Sequence, residues 1–337
     1  MITPMRLFTL ATLAPTCLIA GAAISGGIWV AMAVFYLTAL TSILDRLVQI
    51  AAPTQEFPSG NGLSVTLALA HFALLPLVVA GLAGDGPGAW EKLGLFFAAG
   101  LFFGQVSNAN AHELIHRGPR HLHRLGMWVY ITLLFGHHTS AHVLVHHRHV
   151  ATRADPNTSR RGESFYRYAL RAWVGSFRKG YRAEATRLTQ MNRPAWRNPY
   201  LVYTGGAVIC VALAVAVSTK ALAYYVALAG YAQMQLLMSD YVQHYGLTRA
   251  INAQGKPQPV GAEHSWNSPH WFSSALLLNA TRHSDHHAHP TRHYPSLTLP
   301  KDAPMLPKPL PLMAAIALVP QLWHRMMHPA LDRLRHA

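Results

Sequence analysis

Cysteines and acidic residues are both scarce in this sequence. The two cysteines, Cys17 and Cys210, each lie inside an apolar stretch, which excludes a disulfide framework, a zinc ribbon and a C-x-x-C redox pair. Any electrons the protein uses must therefore come from another molecule. Only 12% of the 337 residues are charged, with 13 Asp and Glu against 28 Lys and Arg. About half of the chain is apolar and gathered in blocks, which is too apolar for a soluble domain of this length and points to transmembrane segments. In a soluble protein a net charge of +15 suggests nucleic acid. Here most Lys and Arg stand between the apolar blocks, so the positive-inside rule and anionic lipid headgroups account for them, and no nucleic-acid role is expected. There is no internal repeat and no low-complexity tract.

The apolar blocks predict about six spans, each near the ~20 residues that cross ~30 Å of hydrocarbon. Leu7 to Ala23 after Arg6 can be read as a signal peptide, but Gly27 to Leu44 follows at once and favours a membrane hairpin. Asp45, Arg46 and a polar link from Pro53 to Asn61 end that hairpin. A third span covers Leu63 to Leu82, and a fourth runs from near Leu93 through Phe102, Phe103 and Val106 into His112. Tyr200 to Val217 and Ala221 to Val242 are the fifth and sixth. Met127 to Phe135 is too short to cross and is expected to be a buried or interfacial helix, as is Leu312 to Trp323. Between Arg117 and Arg197 there are fifteen Lys and Arg against three acids (Asp155, Glu163, Glu184), which marks that loop as cytoplasmic. An even number of crossings puts both termini on the same side.

The histidines cluster where the spans end on that side. His283, His286 and His287 stand at i, i+3, i+4, one face of a helix. His112 and His116 are one turn apart, His142 and His146 repeat that spacing with His147 adjacent, and His244 closes the sixth span. One such cluster can be a polar surface helix. Several at corresponding places argue for metal, since neutral imidazole is the commonest metal ligand. Nine imidazoles exceed the four ligands of one zinc, so two ions with four or five nitrogens each fit the count. Nitrogen ligands alone leave Zn, Cu, Fe and Ni open. His112-Glu113-Leu-Ile-His116 also fits the H-E-x-x-H string of zinc proteases, a reading that the membrane spans exclude. Glu113, Asp155, Asp240, Glu263 and Asp285 are placed either to accept the ligands' other N–H or to serve as ordinary surface or capping residues. His121, His123, His137 and His138 read as polar residues of the membrane surface, and His71 as a histidine with its hydrogen bonds satisfied inside span three. His264, His270, His289 and His293 flank the third cluster, where orienting and structural roles are both open.

Longer strings resemble a family. His112-Glu-Leu-Ile-His116-Arg117, His142-x-x-x-His146-His147 with Asp155-Pro156, His244-Tyr245-Gly246-Leu247, His264-Ser-Trp-Asn267 and Arg282-His-Ser-Asp-His-His-Ala-His-Pro-Thr-Arg292 are similar to the AlkB-type alkane 1-monooxygenases and related xylene monooxygenases. Residues 100 to 330 carry the likeness. Ala141, Val145, Arg153-Ala154 and Gln243 depart from the usual pattern without removing a ligand. The resemblance implies an all-α membrane protein of about six transmembrane helices, shared with fatty-acyl desaturases, under a cytoplasmic His-rich cap. It implies two iron ions, O2 as co-substrate, and hydroxylation of a terminal C–H bond. Electrons then come from NAD(P)H through a reductase and a rubredoxin- or ferredoxin-like carrier, in the inner membrane of a bacterial-type cell.

On this reading residues 1–337 are one hydroxylase domain. Spans one to four occupy 7–115, the basic loop 116–197, spans five and six 198–245 and the cap 246–337. Bulky Trp29, Tyr36, Phe102 and Phe103 are candidates for lining a channel to a hydrophobic substrate, or are ordinary packing residues. A desaturase or carotenoid hydroxylase shares the His spacing, and the longer strings favour the alkane branch. A metal transporter is the non-enzyme alternative; it needs ligands near mid-bilayer, whereas eight of the nine lie in or beside the cytoplasmic loops.

Overall fold

The computed structural model describes residues 4–47 and 60–336. Among them there is no strand, only two isolated bridges, and the fold is all-helical. The polar link expected at Pro53 to Asn61 lies, except for its last two residues, outside the described residues.

Helix α1 (Pro4–Ser25) packs along α3 (Asn61–Ala83) and α2 (Ile28–Leu47), so the first apolar block is part of the bundle. Helix α4 covers Ala89–Phe102, widens into a π-helix over Phe103–Ser107 and resumes as Asn108–Ile115. Helix α5 (Arg120–Thr132) folds back along α4 and buries Val129, Tyr130 and Ile131, as expected for the short apolar piece. Helix α8 (Tyr200–Val217) pairs with α9 (Thr219–His244). Among the described residues four helices, α1, α2, α3 and α8, are long and apolar enough to cross a membrane. Helices α4 and α9 are long enough but fall short in apolarity, because they are the inner helices. They carry Gln105 and Asn108, and Gln233, Ser239, Asp240 and Gln243, into the bundle rather than toward lipid.

Two expectations need correction. The basic stretch read as a loop contains a 26-residue helix, α7 (Phe165–Gln190). Its buried stripe of Tyr168, Ala169, Ala172, Ser176 and Gly180 has helical spacing, but small residues among arginines leave the local hydropathy polar. The piece expected as one helix from Leu312 to Trp323 is divided into α12 (Leu310–Ala317) and α13 (Pro320–His336). Pro320 lacks the N–H that would continue α12 and suits the first turn of a new helix.

The membrane-side bundle is tied to the cap at its ends. Asp45, buried at the end of α2, accepts the N–H groups of Phe272 and Ser273 at 2.9 and 3.0 Å, which caps helix α10 (Trp271–Leu276). His71 in α3 is satisfied on both ring nitrogens, by Ser107 at 3.0 Å and Thr132 at 2.9 Å, so it joins α3, α4 and α5 as its sequence position suggests.

Candidate metal centre

Four helices bring the histidines together. The resumed α-helix of α4 puts His112 and His116 on one side. Helix α6 (138–149) contains a π-helical turn at His142–His146. In a π turn residues five apart align, so His142 lies over His147, with Nε2 atoms 2.9 Å apart, and His146 is turned away. In helix α11 (His283–Ala288), ordinary α spacing aligns His283 with His287, while His286 points to the other side. The start of α11 is held by Asn267, whose Oδ1 accepts the Ser284 N–H at 3.0 Å and whose Nδ2 donates to Ser284 Oγ at 2.7 Å. The chain leaves α9 directly after His244 through Gly246, whose φ of +73° is a left-handed conformation that favours glycine.

The outcome is two groups of nitrogens. His112, His116, His142, His147 and His286 form one, and His146, His244, His283 and His287 the other, each within 4.8 Å. The one-turn pair read from sequence, His142 with His146, is thus divided between the groups, and the π turn is the reason.

The nitrogens fit metal ions better than one another. Nε2 of His142 is 2.8 Å from that of His112 and 2.9 Å from that of His147. His286 and His147 approach to 3.1 Å, His283 and His244 to 3.0 Å, and His287 and His283 to 3.1 Å. A metal–nitrogen bond of ~2.1 Å puts ligands at right angles ~3.0 Å apart. Neutral imidazoles have one proton each and cannot satisfy a ring of mutually facing lone pairs, and Nε2 of His116 and of His146 has no hydrogen-bond partner among the described residues. Burial pushes the pKa of His116, His142, His147, His283, His286 and His287 well below the ordinary value, so these rings stay neutral ligands.

Of the five acids, one touches a ring of the two histidine groups. Asp155 accepts from Nδ1 of His146 at 2.8 Å and is itself held by the Asn157 N–H at 3.0 Å and the Thr158 hydroxyl at 2.7 Å. Burial opposes a charge on His146, and Asp155 more than offsets it, raising that pKa. Asp240 is one link further, accepting from Asn157 Nδ2 at 2.7 Å. Glu113 pairs instead with Arg117 and accepts the Tyr294 N–H at 3.0 Å. Asp285 binds Arg292 at 2.7 Å, His289 at 2.9 Å and the Thr298 N–H at 2.6 Å, fixing the turn after α11. Glu263 is a surface residue with its side chain 65% exposed.

Beside the cluster a cavity of about 90 Å³ reaches His112, His142 and His283 from between α4, α9 and α12. None of the four channel candidates lines it. Trp29 is 40% exposed on the outside, Tyr36 donates its hydroxyl to the carbonyls of Leu10 and Ala11, and Phe102 and Phe103 are core residues, Phe103 against His71. Bulk was the wrong signal, since a cavity persists where side chains are small or engaged elsewhere. Gly104, Ala109, Ala280 and Ala314 line it. The structure also corrects the surface reading of His137 and His138, which are buried. His138 lines the cavity with its ring 5.0 Å from that of His142. The missed signal was its spacing of one turn before His142.

Comparison with known proteins places this geometry. The chain is 35% identical over 263 residues to the alkane 1-monooxygenase of Ectopseudomonas oleovorans, covering 77% of this chain and 65% of that protein. With alkane 1-monooxygenase 1 of Alcanivorax borkumensis the identity is 33%, over 76% of this chain and 64% of the relative. The xylene/toluene monooxygenase hydroxylase component of Pseudomonas putida is 28% identical over 63% of this chain and 57% of its own length. The chain thus spans just under two thirds of the first two relatives' lengths, 65% and 64%. Residues 88–313 match the fatty acid desaturase family model, and with two thirds of its length covered the chain belongs to that family.

Proposed function

We propose that the protein is a membrane non-haem di-iron monooxygenase that hydroxylates the terminal methyl of linear alkanes with O2 and electrons from a rubredoxin-like carrier. The observation that carries this is a nine-histidine cluster in two groups, opening onto a cavity whose exposed surface is mainly carbon. His112, His116, His142, His147 and His286 would hold one iron, and His146, His244, His283 and His287 the other. Iron, when bound, supplies the reductive activation of O2 that breaks a C–H bond and returns a hydroxyl. The chain supplies neutral ligands, a dry slot and a direction of entry. Asn108 Nδ2 donates to the carbonyls of Gly104 and Ala232 at 3.0 Å each, Ser239 donates to Gln243 at 2.8 Å, and Gln243 donates to the Ala280 carbonyl at 2.9 Å. These polar groups are turned on one another, which leaves carbon for an alkane.

A narrow slot admits a chain end-first, so the methyl carbon reaches the cluster before any methylene, and holding it there lowers the barrier by positioning. Membranes containing the protein, given octane, xylene, a fatty-acyl substrate, carrier, reductase and NADH, are expected to yield mainly 1-octanol by mass spectrometry. Internal octanols or an alkene from the acyl chain would overturn this reading, and benzylic alcohol alone would move it to methyl-aromatics.

The six-crossing topology with cytoplasmic termini belongs to the same proposal. It is supported by the four apolar helices, by the length of α4 and α9, and by the basic stretch at one end. Reporter fusions at Gly86 and after Ala337 are expected to give opposite sides, and matching periplasmic signals would refute it.

The carrier's docking surface is the groove lined by Arg148, His149, Lys179, Arg182 and Arg187, which borders Val145, next to His146. An acidic carrier would be steered there, chiefly through its association rate. Lys179 donates to the Ala154 carbonyl and also holds the loop, so exposed Arg178 and Arg182 make the cleaner test. Their reversal to Glu is expected to slow carrier-dependent turnover about tenfold at low salt, with little change under chemical reduction. Equal losses under both conditions would mean a damaged fold.

A further inference from the structure

A second groove, of about 530 Å³, opens between α5, α6, α7 and the start of α8 and shares no lining residue with the cavity beside the histidines. Helix α8 is apolar enough to cross a membrane from Tyr200 to Val217, and its beginning supplies Val202 and Tyr203 to the groove. The groove therefore stands where the bilayer surface meets the basic stretch. Gly206 lets α5 and α8 close there, since a Cβ on it would stand 2.7 Å from Ile131 and 3.1 Å from Trp128. Arg124 and Trp128, one turn apart on α5, are both exposed and both line the groove. An exposed tryptophan beside a cation at the start of a span is the pattern of a membrane–water interface.

The groove is charged in two ways. Its rim carries guanidinium groups. Arg124 has no hydrogen bond or ion pair among the described residues, and Arg187, its side chain 58% exposed, makes one long contact of 3.5 Å to Glu184. Its floor carries an acid. Glu184 is 6% exposed and accepts from the Ser140 hydroxyl at 2.6 Å, and Ser140 Oγ is 2.8 Å from the Tyr203 hydroxyl. Thr139, only 2% exposed, also lines the groove, and its hydroxyl has no hydrogen-bond partner among the described residues. A buried hydroxyl left unpaired beside a buried carboxylate points to a polar ligand that completes both. The wall between rim and floor is apolar, with Met127, Val143 and Leu144.

A ligand that fits is anionic at the rim, carries a hydrogen-bonding cation at the floor and is apolar toward α8. Guanidinium groups match a phosphate. A primary ammonium has three donors, enough for a carboxylate and a hydroxyl together. Basic pockets between transmembrane helices hold lipid headgroups. A purely anionic headgroup would bring its charge toward Glu184, and a choline has no N–H to give.

We propose that this groove binds phosphatidylethanolamine, with its phosphate on Arg124 and Arg187, its ammonium on Glu184 and Thr139, and its acyl chains along α8 past Val202. The inference depends on α8 crossing the bilayer and not on the reaction catalysed. The lipid would join α5, α6, α7 and α8 next to the carrier groove, which Leu144 and Arg187 also border.

The test uses the full-length, metal-loaded protein, delipidated in detergent and offered phosphatidylethanolamine, phosphatidylcholine, phosphatidylglycerol or soluble O-phosphoethanolamine. Native mass spectrometry and the shift in unfolding temperature read binding. The wild type is expected to hold phosphatidylethanolamine about tenfold more tightly than the other two lipids, the size of one hydrogen bond to a charged group. Arg124→Glu should weaken that binding about tenfold, and Glu184→Gln should abolish the preference over phosphatidylcholine. Arg178→Glu, the same charge change at an exposed position of α7 outside the groove, should bind as the wild type does. Lipid-free unfolding temperature and iron content verify each fold. Equal affinity for phosphatidylethanolamine and phosphatidylcholine overturns the assignment, and so does a preference for phosphatidylglycerol. O-phosphoethanolamine bound as tightly as the lipid would make the groove a site for a soluble ligand instead. Equal losses in Arg124→Glu and Arg178→Glu would reduce the effect to diffuse charge and refute the site.

Discussion

Replacing His286 or His287 with alanine is expected to remove a different metal ion in each case, although the two residues are adjacent. His286 belongs to the group with His112, His116, His142 and His147, and His287 to the group with His146, His244 and His283. Each single variant should retain about half of the wild-type iron and lose turnover by ~100-fold or more, since even residues that only orient a ligand cost 10–100-fold. The combinations separate the groups. His286→Ala with His116→Ala depletes one group twice and should leave the other ion in place. His286→Ala with His287→Ala damages both and should leave almost no iron. Elemental analysis of purified protein checks this, and equal iron loss in the two double variants would mean that the division into five and four is wrong.

The second large effect is expected at Asp155. Among the five acids it alone accepts from a ring of the two histidine groups, at 2.8 Å from His146 Nδ1, and it also anchors the Asn157 N–H and the Thr158 hydroxyl. Asp155→Ala leaves these donors buried and unpaired, at a cost of about 1–3 kcal/mol each. It also frees the His146 ring to rotate out of its group. The variant should lose metal 10–100-fold more readily to a chelator and unfold at a lower temperature. Asp155→Asn keeps the shape and one acceptor, so it should recover most of the stability but less of the metal retention. Glu263→Ala, at an exposed position, should match the wild type in both measurements. Should Asp155→Ala hold its iron as firmly as the wild type, the carboxylate would be a structural clamp only.

Sequence left an orienting and an ordinary role open for all five acids, and in the structure Asp155 meets the His146 ring nine residues away, across the turn-rich segment Arg153-Ala154-Asp155-Pro156-Asn157. Proximity in sequence does not separate it from Glu113 and Asp285, which meet other partners. A carboxylate near a ligand in sequence is drawn to whichever cation or backbone N–H the fold brings closer, here Arg117 with Tyr294 and Arg292 with Thr298. Cavity residues were not legible for a related reason. A void is defined by helices from distant parts of the chain, so Phe102 and Phe103 could be counted but not aimed, while Gly104 and Ala109 gave no signal.

Sequence alone determined the chemistry available to this protein. It supplied nine imidazoles near the ends of apolar blocks, no cysteine pair to carry electrons, and a basic stretch beside the cluster. Those properties depend on residue type and on spacing within one segment, which the linear order contains. Tertiary structure decided how the ligands divide and what they face. His142 joins His147 and not His146 because a π turn at 142–146 aligns residues five apart. Likewise His138 faces the cavity and Trp29 the outside because helix rotation is fixed by contacts with other helices, which sequence periodicity does not encode.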